Sequence, residues 1–147
     1  MIDAEQYLDK LWSASFVASP LMIHGTGTDV WVAPDIDVNV LDELPALTWN
    51  LTGDGDAAQG PGAEGFLLTT NVFGEGMDQA KATAMHVDDV VLAWFEDPWA
   101  TAVEFDGVRV VVSEGERIDT PTRAAAAMID GRNVVQYSGS YRLLLRS

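Results

Sequence analysis

Cysteine is missing altogether from this 147-residue chain. That excludes disulfides and thiolate-held zinc or iron–sulfur centres, though not metal sites built from carboxylates. Histidine is nearly missing too, with only His24 and His86 present, and Lys10 and Lys81 are the only lysines. No apolar run approaches the ~20 residues of a membrane span. The acidic start Met1-Ile-Asp-Ala-Glu is the reverse of the basic start of a secretory signal. These absences together predict a soluble chain made in the cytoplasm and given no membrane role.

Apolar bulk is what the chain does have. Hydrophobic residues make up 48% of it, with five Trp and five Phe. This outweighs a net charge of −15 and excludes intrinsic disorder. The length fits one domain, 1–147, with a sizeable core. Charge is unevenly placed. Residues 1–108 hold 19 acids against two lysines, a net of −17. Residues 109–147 hold six arginines against four acids, a net of +2. A body this acidic repels nucleic-acid phosphate. Arginine without lysine suits bidentate pairing with carboxylates of a neighbouring chain, so the pattern points to self-assembly. For any one arginine, a solvated surface or an intrachain pair is the plainer reading. The expected interface arginines are Arg109, Arg117, Arg132, Arg142 and Arg146.

Periodicity predicts an α+β fold. Asp3 caps a helix over 4–16 with Tyr7, Leu8, Leu11, Trp12 and Ser15 on one face. A hairpin-like segment over 21–32 follows, turning at Gly25–Asp29, and then an acidic link from Pro34 to Pro45 with room for a short strand. Leu47, Trp49 and Leu51 alternate with Thr48, Asn50 and Thr52 as a strand with one buried face. Its antiparallel partner is 66–73, across a glycine-rich acidic loop at 53–65 that is expected to be mobile. That second strand breaks at Gly74-Glu75-Gly76 and passes into a helix over 77–95. There Met77, Ala80, Ala84, Val87, Val91 and Trp94 make one apolar seam, and Asp97-Pro98 stops it. A strand over 103–113 follows, with a turn or bulge at Asp106-Gly107. Thr120-Pro121 then reads as the cap of a short helix over 123–128 that ends at Gly131. The last strand alternates Val135, Tyr137, Gly139, Tyr141, Leu143 and Leu145 on one face against Gln136, Ser138, Ser140, Arg142, Leu144 and Arg146. The expectation is a mixed or antiparallel sheet carrying one long helix and an N-terminal helix.

Catalytic, cofactor and metal motifs are not found. His86 has Asp89 one turn away and has the makings of a base or ligand, but a structural or surface role is commoner. Asp54-Gly-Asp56 opens like a calcium loop, yet Ala58, Gln59 and Gly65 stand at the remaining diagnostic positions. Gly25-Thr-Gly27 lacks the third glycine of a dinucleotide loop. No GxxxxGK[ST] or nucleophile elbow occurs. The chain is therefore expected not to be an enzyme and to carry no cofactor. Trp12, Trp49 and Trp94 sit in the buried phase of their elements. Trp31 and Trp99, near element ends, read as anchors for a partner chain.

In layout the chain resembles the tail terminator (tail completion) proteins of long-tailed bacteriophages. The likeness covers most of the chain. It consists of an N-terminal helix, an early strand pair, a strand like 66–73 running into one long helix, and a closing segment Arg132-Asn-Val-Val-Gln-Tyr-Ser-Gly-Ser-Tyr-Arg-Leu-Leu-Leu-Arg146. The helix-prone 123–128 stretch and the 20–45 region depart from that pattern. The resemblance implies a virion protein at the head–tail junction. A ring of copies, six by the family pattern, would cap the tail tube beside the connector and leave a channel for DNA. Acids such as Asp54, Asp56 and Glu64 would then face the channel and let the duplex slide. Exposed edges, at the last strand or the 47–73 hairpin, would complete the ring by strand addition. The competing expectations are a connector (stopper) or minor tail protein, an acidic inhibitor or immunity protein, and, last, an enzyme with an unrecognised carboxylate site.

Overall fold

The computed structural model describes residues 2–18, 31–33, 44–53 and 62–147. Helix α1 spans Ala4–Ala18. Its first turn is capped as expected, with the Gln6 N–H donating to Asp3 Oδ1 at 3.1 Å. Strands β1 (Trp31–Ala33), β2 (Ala46–Gly53) and β3 (Ala63–Glu75) follow, and β3 runs straight into α2 (Gly76–Glu96). A 3-10 turn at Pro98–Thr101 leads to β4 (Val103–Phe105), β5 (Val108–Ile129) and β6 (Arg132–Arg146). The segment over 21–30, the 34–43 link and the acidic tip holding Asp54 and Asp56 lie outside the described residues.

The six described strands join one sheet in the order β1-β2-β3-β6-β5-β4. The β1–β2 pair is parallel and every other pair is antiparallel, so the sheet is mixed and the α+β expectation holds. The 47–52 and 66–73 strands pair as expected, from Ala46 opposite Phe73 to Gly53 opposite Phe66. The last strand is central. It pairs with β3 from Ala63–Arg146 to Glu75–Val134 and with β5 on its other side.

The expected alternation decides what is inside. Val135, Tyr137, Tyr141, Leu143 and Leu145 are all buried, beside Leu68 and Val72 of β3 and Leu47 and Trp49 of β2. Tyr7, Leu8, Leu11 and Trp12 of α1 join the same core, with Ala80, Ala84, Val87, Val91 and Trp94 of α2. Full burial of each large aliphatic group contributes about 1.5–3 kcal/mol. Trp12 and Trp94 meet edge to face, ring centroids 4.6 Å apart. The Trp94 Nε1–H donates to Ser15 Oγ at 3.0 Å, which stitches the two helices together. Met77 departs from the predicted seam, being 46% exposed at the start of α2.

Two expectations are overturned. The first is the helix over 123–128. This stretch is extended and forms the far half of the 22-residue strand β5, with Ala125, Ala126 and Ala127 opposite Gln136, Val135 and Val134. Alanine favours helix in isolation, but this segment is covalently tied to β6 by a two-residue turn. Asp130 and Gly131 both have positive φ there, +51° and +76°, the geometry of a tight hairpin turn. Backbone pairing along β6 then outweighs a propensity worth a few tenths of a kcal/mol per residue. Asp106-Gly107 makes the same kind of turn between β4 and β5. The second correction follows from the sheet order. Both edges of β6 are occupied, as are both edges of β3, so neither offers a free edge for strand addition. Of the 47–73 hairpin only β2 keeps an edge without a strand partner, beyond Thr48 among the described residues, and the longer open edge belongs to β5.

Close packing of α2 on the sheet requires a glycine at 115. A Cβ placed there would run into the ring of Phe95, with no room for both. Phe95 is in turn tilted against Tyr141, ring centroids 6.4 Å apart. Gly115→Val is therefore expected to lower the unfolding free energy by roughly 1–3 kcal/mol, the usual cost of overpacking. Urea denaturation followed by tryptophan fluorescence measures it.

Candidate functional site

The five arginines expected at an interface all lie on the arm formed by β5 and β6. Arg109 Nη2 lies 2.8 Å from Glu104 Oε1 across the β4–β5 hairpin, and its Nε–H donates to the same oxygen at 3.1 Å. Arg142 Nη1 lies 2.6 Å from Glu116 Oε1 of the facing strand. Both pairs are well exposed, so each contributes at most about 1 kcal/mol and is screened by salt. Arg132 is half-buried at the start of β6. Arg146 is exposed near its end, opposite Ala63 on one side and Val111 on the other. Arg123, opposite Tyr137, is exposed on β5.

Arg117 differs from the other arginines. Its Nη1 donates to Asp88 Oδ2 at 2.6 Å, while the Tyr141 hydroxyl donates to Asp88 Oδ1 at 2.8 Å. Asp88 is 1% exposed, so a carboxylate of α2 is held inside by one strand on each oxygen. Burial pushes the Tyr141 hydroxyl well above its ordinary range, and the bond to Asp88 pushes in the same direction. The sequence reading passed over Asp88. A signal was present, since Asp88 lies four residues after Ala84 and three before Val91, within the apolar seam itself. An acid there needs partners, and Arg117 and Tyr141 supply them.

A groove between α1 and α2 holds His86 beside Asp89, Ser15 and Trp94. Burial lowers the His86 pKa, and the Asp89 carboxylate acts in the opposite sense. Ser15 is not poised as a nucleophile. Its hydroxyl donates to the Leu11 carbonyl at 2.7 Å and accepts from Trp94 Nε1. Among the described residues, no group of three or more His, Asp and Glu side chains gathers around one point. Likewise, no helix among them is long and apolar enough to cross a membrane.

Of the expected anchors, Trp99 is 77% exposed on the 3-10 turn. Trp31 lies on β1, its backbone opposite Ala46 of β2. Glu64, expected at a channel wall, is half-buried and accepts the Ile2 N–H at 3.0 Å. It thus ties the start of the chain to β3. Residues 122–131 of the β5–β6 hairpin are exposed without a break, among them Met128 at 69% and Ile129 at 41%. The sequence reading gave this stretch to a helix and so did not count it as a surface.

No protein-family model matches the chain, and no curated protein does. Among solved structures, a chain from the virion of a native gene transfer agent (GTA) particle aligns at 17% identity. It covers 93% of this chain and 92% of its own, with a TM-score of 0.44. A second solved chain aligns at 14% identity over 95% of this chain and 94% of its own, with a TM-score of 0.39. Likenesses this distant carry no argument about function.

Removing the Asp88 carboxylate should expose how much the helix depends on it. Asp88→Ala is expected to cost roughly 2–4 kcal/mol of stability, because Tyr141 loses its buried acceptor. Arg117→Ala should cost at least as much, because it leaves the buried Asp88 carboxylate without its cation. Equilibrium unfolding in urea ranks the two. A second outcome concerns alkaline pH. Tyr7, whose hydroxyl donates to the Thr101 carbonyl at 2.7 Å, has its pKa raised by burial from 10.0 to about 12. The unfolded chain releases that proton first. The stability this group contributes is therefore whole below pH 10 and falls by roughly 2–3 kcal/mol as pH rises through about 12, and Tyr141, also raised, adds a loss of the same sign. Tyr7→Phe should lessen this fall, leaving the part due to Tyr141, when melting is followed across pH 8–12.

Proposed function

We propose that this chain is a structural protein of a phage-like virion, placed at the head–tail junction. There it ends the tail tube as a ring of copies and leaves a channel for DNA. It acts by assembly, not by chemical transformation of a ligand, and uses no cofactor. Its neighbours in this reading are the tail tube protein on one side and the head–tail connector on the other. The genome passes through without specific binding.

The observation that carries the reading is the layout. An N-terminal helix, a strand continuous with one long helix, and a closing Tyr/Arg strand stand in the order that the tail terminator family uses. The surface is compatible with the role. Charge is segregated along the chain, net +2 over 109–147 against net −17 over 1–108, and complementary charged surfaces on different sides of one subunit generate rings when the rotation closes. A connector (stopper) protein would use the same kind of contact, and particle imaging separates the two by position. An acidic inhibitor would instead remain a monomer and bind a basic enzyme tightly.

Native mass spectrometry and negative-stain microscopy of the purified protein test the proposal. Rings are expected, and raising salt from 50 to 500 mM should shift them toward smaller species, since arginine–carboxylate contacts are screened within about 10 Å at 0.1 M. A strict monomer at every concentration, missing from assembled particles, would sink it.

A further inference from the structure

The sheet has two edges, and each is guarded by a three-residue strand that covers only part of it. On one side β1 pairs with Ala46, Leu47 and Thr48 of β2, which leaves Trp49–Gly53 without a strand partner on that side among the described residues. On the other side β4 pairs with Val108, Arg109 and Val110 of β5. Just beyond, Thr101 Oγ1 accepts the Val112 N–H at 2.9 Å and closes that position. From Ser113 to Ile129 no strand lies along the outer edge of β5 among the described residues.

These seventeen positions are not equivalent. Register shifts at 112/114, 117/119, 119/122 and 123/125 bend the first part, and Pro121 sits within it. Bulges and proline are the usual protection of an edge against pairing. From Ala125 to Ile129 the register with β6 is unbroken, and every residue is exposed. Ala124-Ala-Ala-Ala-Met-Ile129 contains no charge, glycine or proline. A straight, apolar, unprotected edge of this length is a template for another strand.

We propose that the Ala124–Ile129 edge of β5 is the surface on which a second copy of this chain adds a strand from the opposite edge of its own sheet, at β2 beyond Thr48. This deepens the ring reading above and rests on it. Charge selects the occupant. The edge is flanked by Arg123 and Arg132, with Asp130 in the turn between them, while β2 carries no charge of its own but ends at Leu51 and Gly53 beside Asp3, Glu5 and Glu64. Pairing the two opposite edges is head-to-tail by construction, so each copy offers one edge and fills another. The sheet then continues from subunit to subunit, with backbone hydrogen bonds supplying affinity and the arginines supplying orientation.

Three proteins test it by analytical ultracentrifugation, with circular dichroism and thermal melting to confirm that each is folded: wild type, Ala125→Glu/Ala127→Glu and Ala125→Lys/Ala127→Lys. Both positions are exposed, so the fold is expected to stand. Wild type should associate, the glutamate pair should weaken association at least tenfold, and the lysine pair should weaken it less. A folded glutamate variant that assembles like wild type overturns the edge assignment and leaves the ring reading in place. Lysine and glutamate pairs that weaken assembly equally overturn the acidic-edge partner. A wild type that never associates overturns the ring reading itself, and this inference with it.

Discussion

The Asp88 carboxylate, buried beneath α2, accepts a hydrogen bond from a different strand on each of its oxygens, and the placement of the helix on the sheet depends on it. An isolated charge in such a place would cost several kcal/mol. With Arg117 and Tyr141 in place, the cost of desolvation is offset by two charge-assisted bonds. Apolar contact alone would let α2 slide or rotate over a smooth sheet. The carboxylate fixes one register, and Gly115 lets Phe95 settle at the matching depth a few residues on. Helix position, the β5–β6 pairing and the exposed arm beyond it are therefore parts of one arrangement.

That arrangement also explains why the arm is exposed. Asp88 meets β5 at Arg117, and Phe95 meets it at Gly115, so α2 contacts the near half of the strand. The far half, 122–129, is paired along β6 on one side and exposed. Three of the arginines expected to reach a neighbour, at 109, 117 and 142, hold carboxylates within the same chain. Each such pair removes a cation from the pool that can face another subunit. The segregation of charge survives this pairing, because the acids outside the arm far outnumber the bases.

Most of the fold was legible where side chains alternate or recur with a clear period. Asp3 marked the start of α1, Asp97-Pro98 the end of α2, and the Tyr/Leu alternation of β6 its buried face. The 123–128 stretch was not legible. Four alanines have no period, and their local preference is helical, while the forces that made them a strand lie in β6 and in the Asp130-Gly131 turn. Reading that stretch as a helix also hid the open edge. Asp88 was missed for a related reason. A single acid in an apolar seam looks like noise until the strand that carries its partners is placed beside it. Trp99 is exposed, because a tryptophan after Asp97-Pro98 has left the helix and its seam behind.

The junction of β3 with α2 has a mechanical side. Glu75 ends the strand and Gly76 begins the helix with no intervening loop. Strand and helix therefore form a single bent rod, clamped midway along α2 by the Asp88 contacts. A push on the exposed start of α2 is delivered directly to β3, which lies between β2 and β6 in the sheet. Such a corner transmits load through continuous backbone and not through a loop.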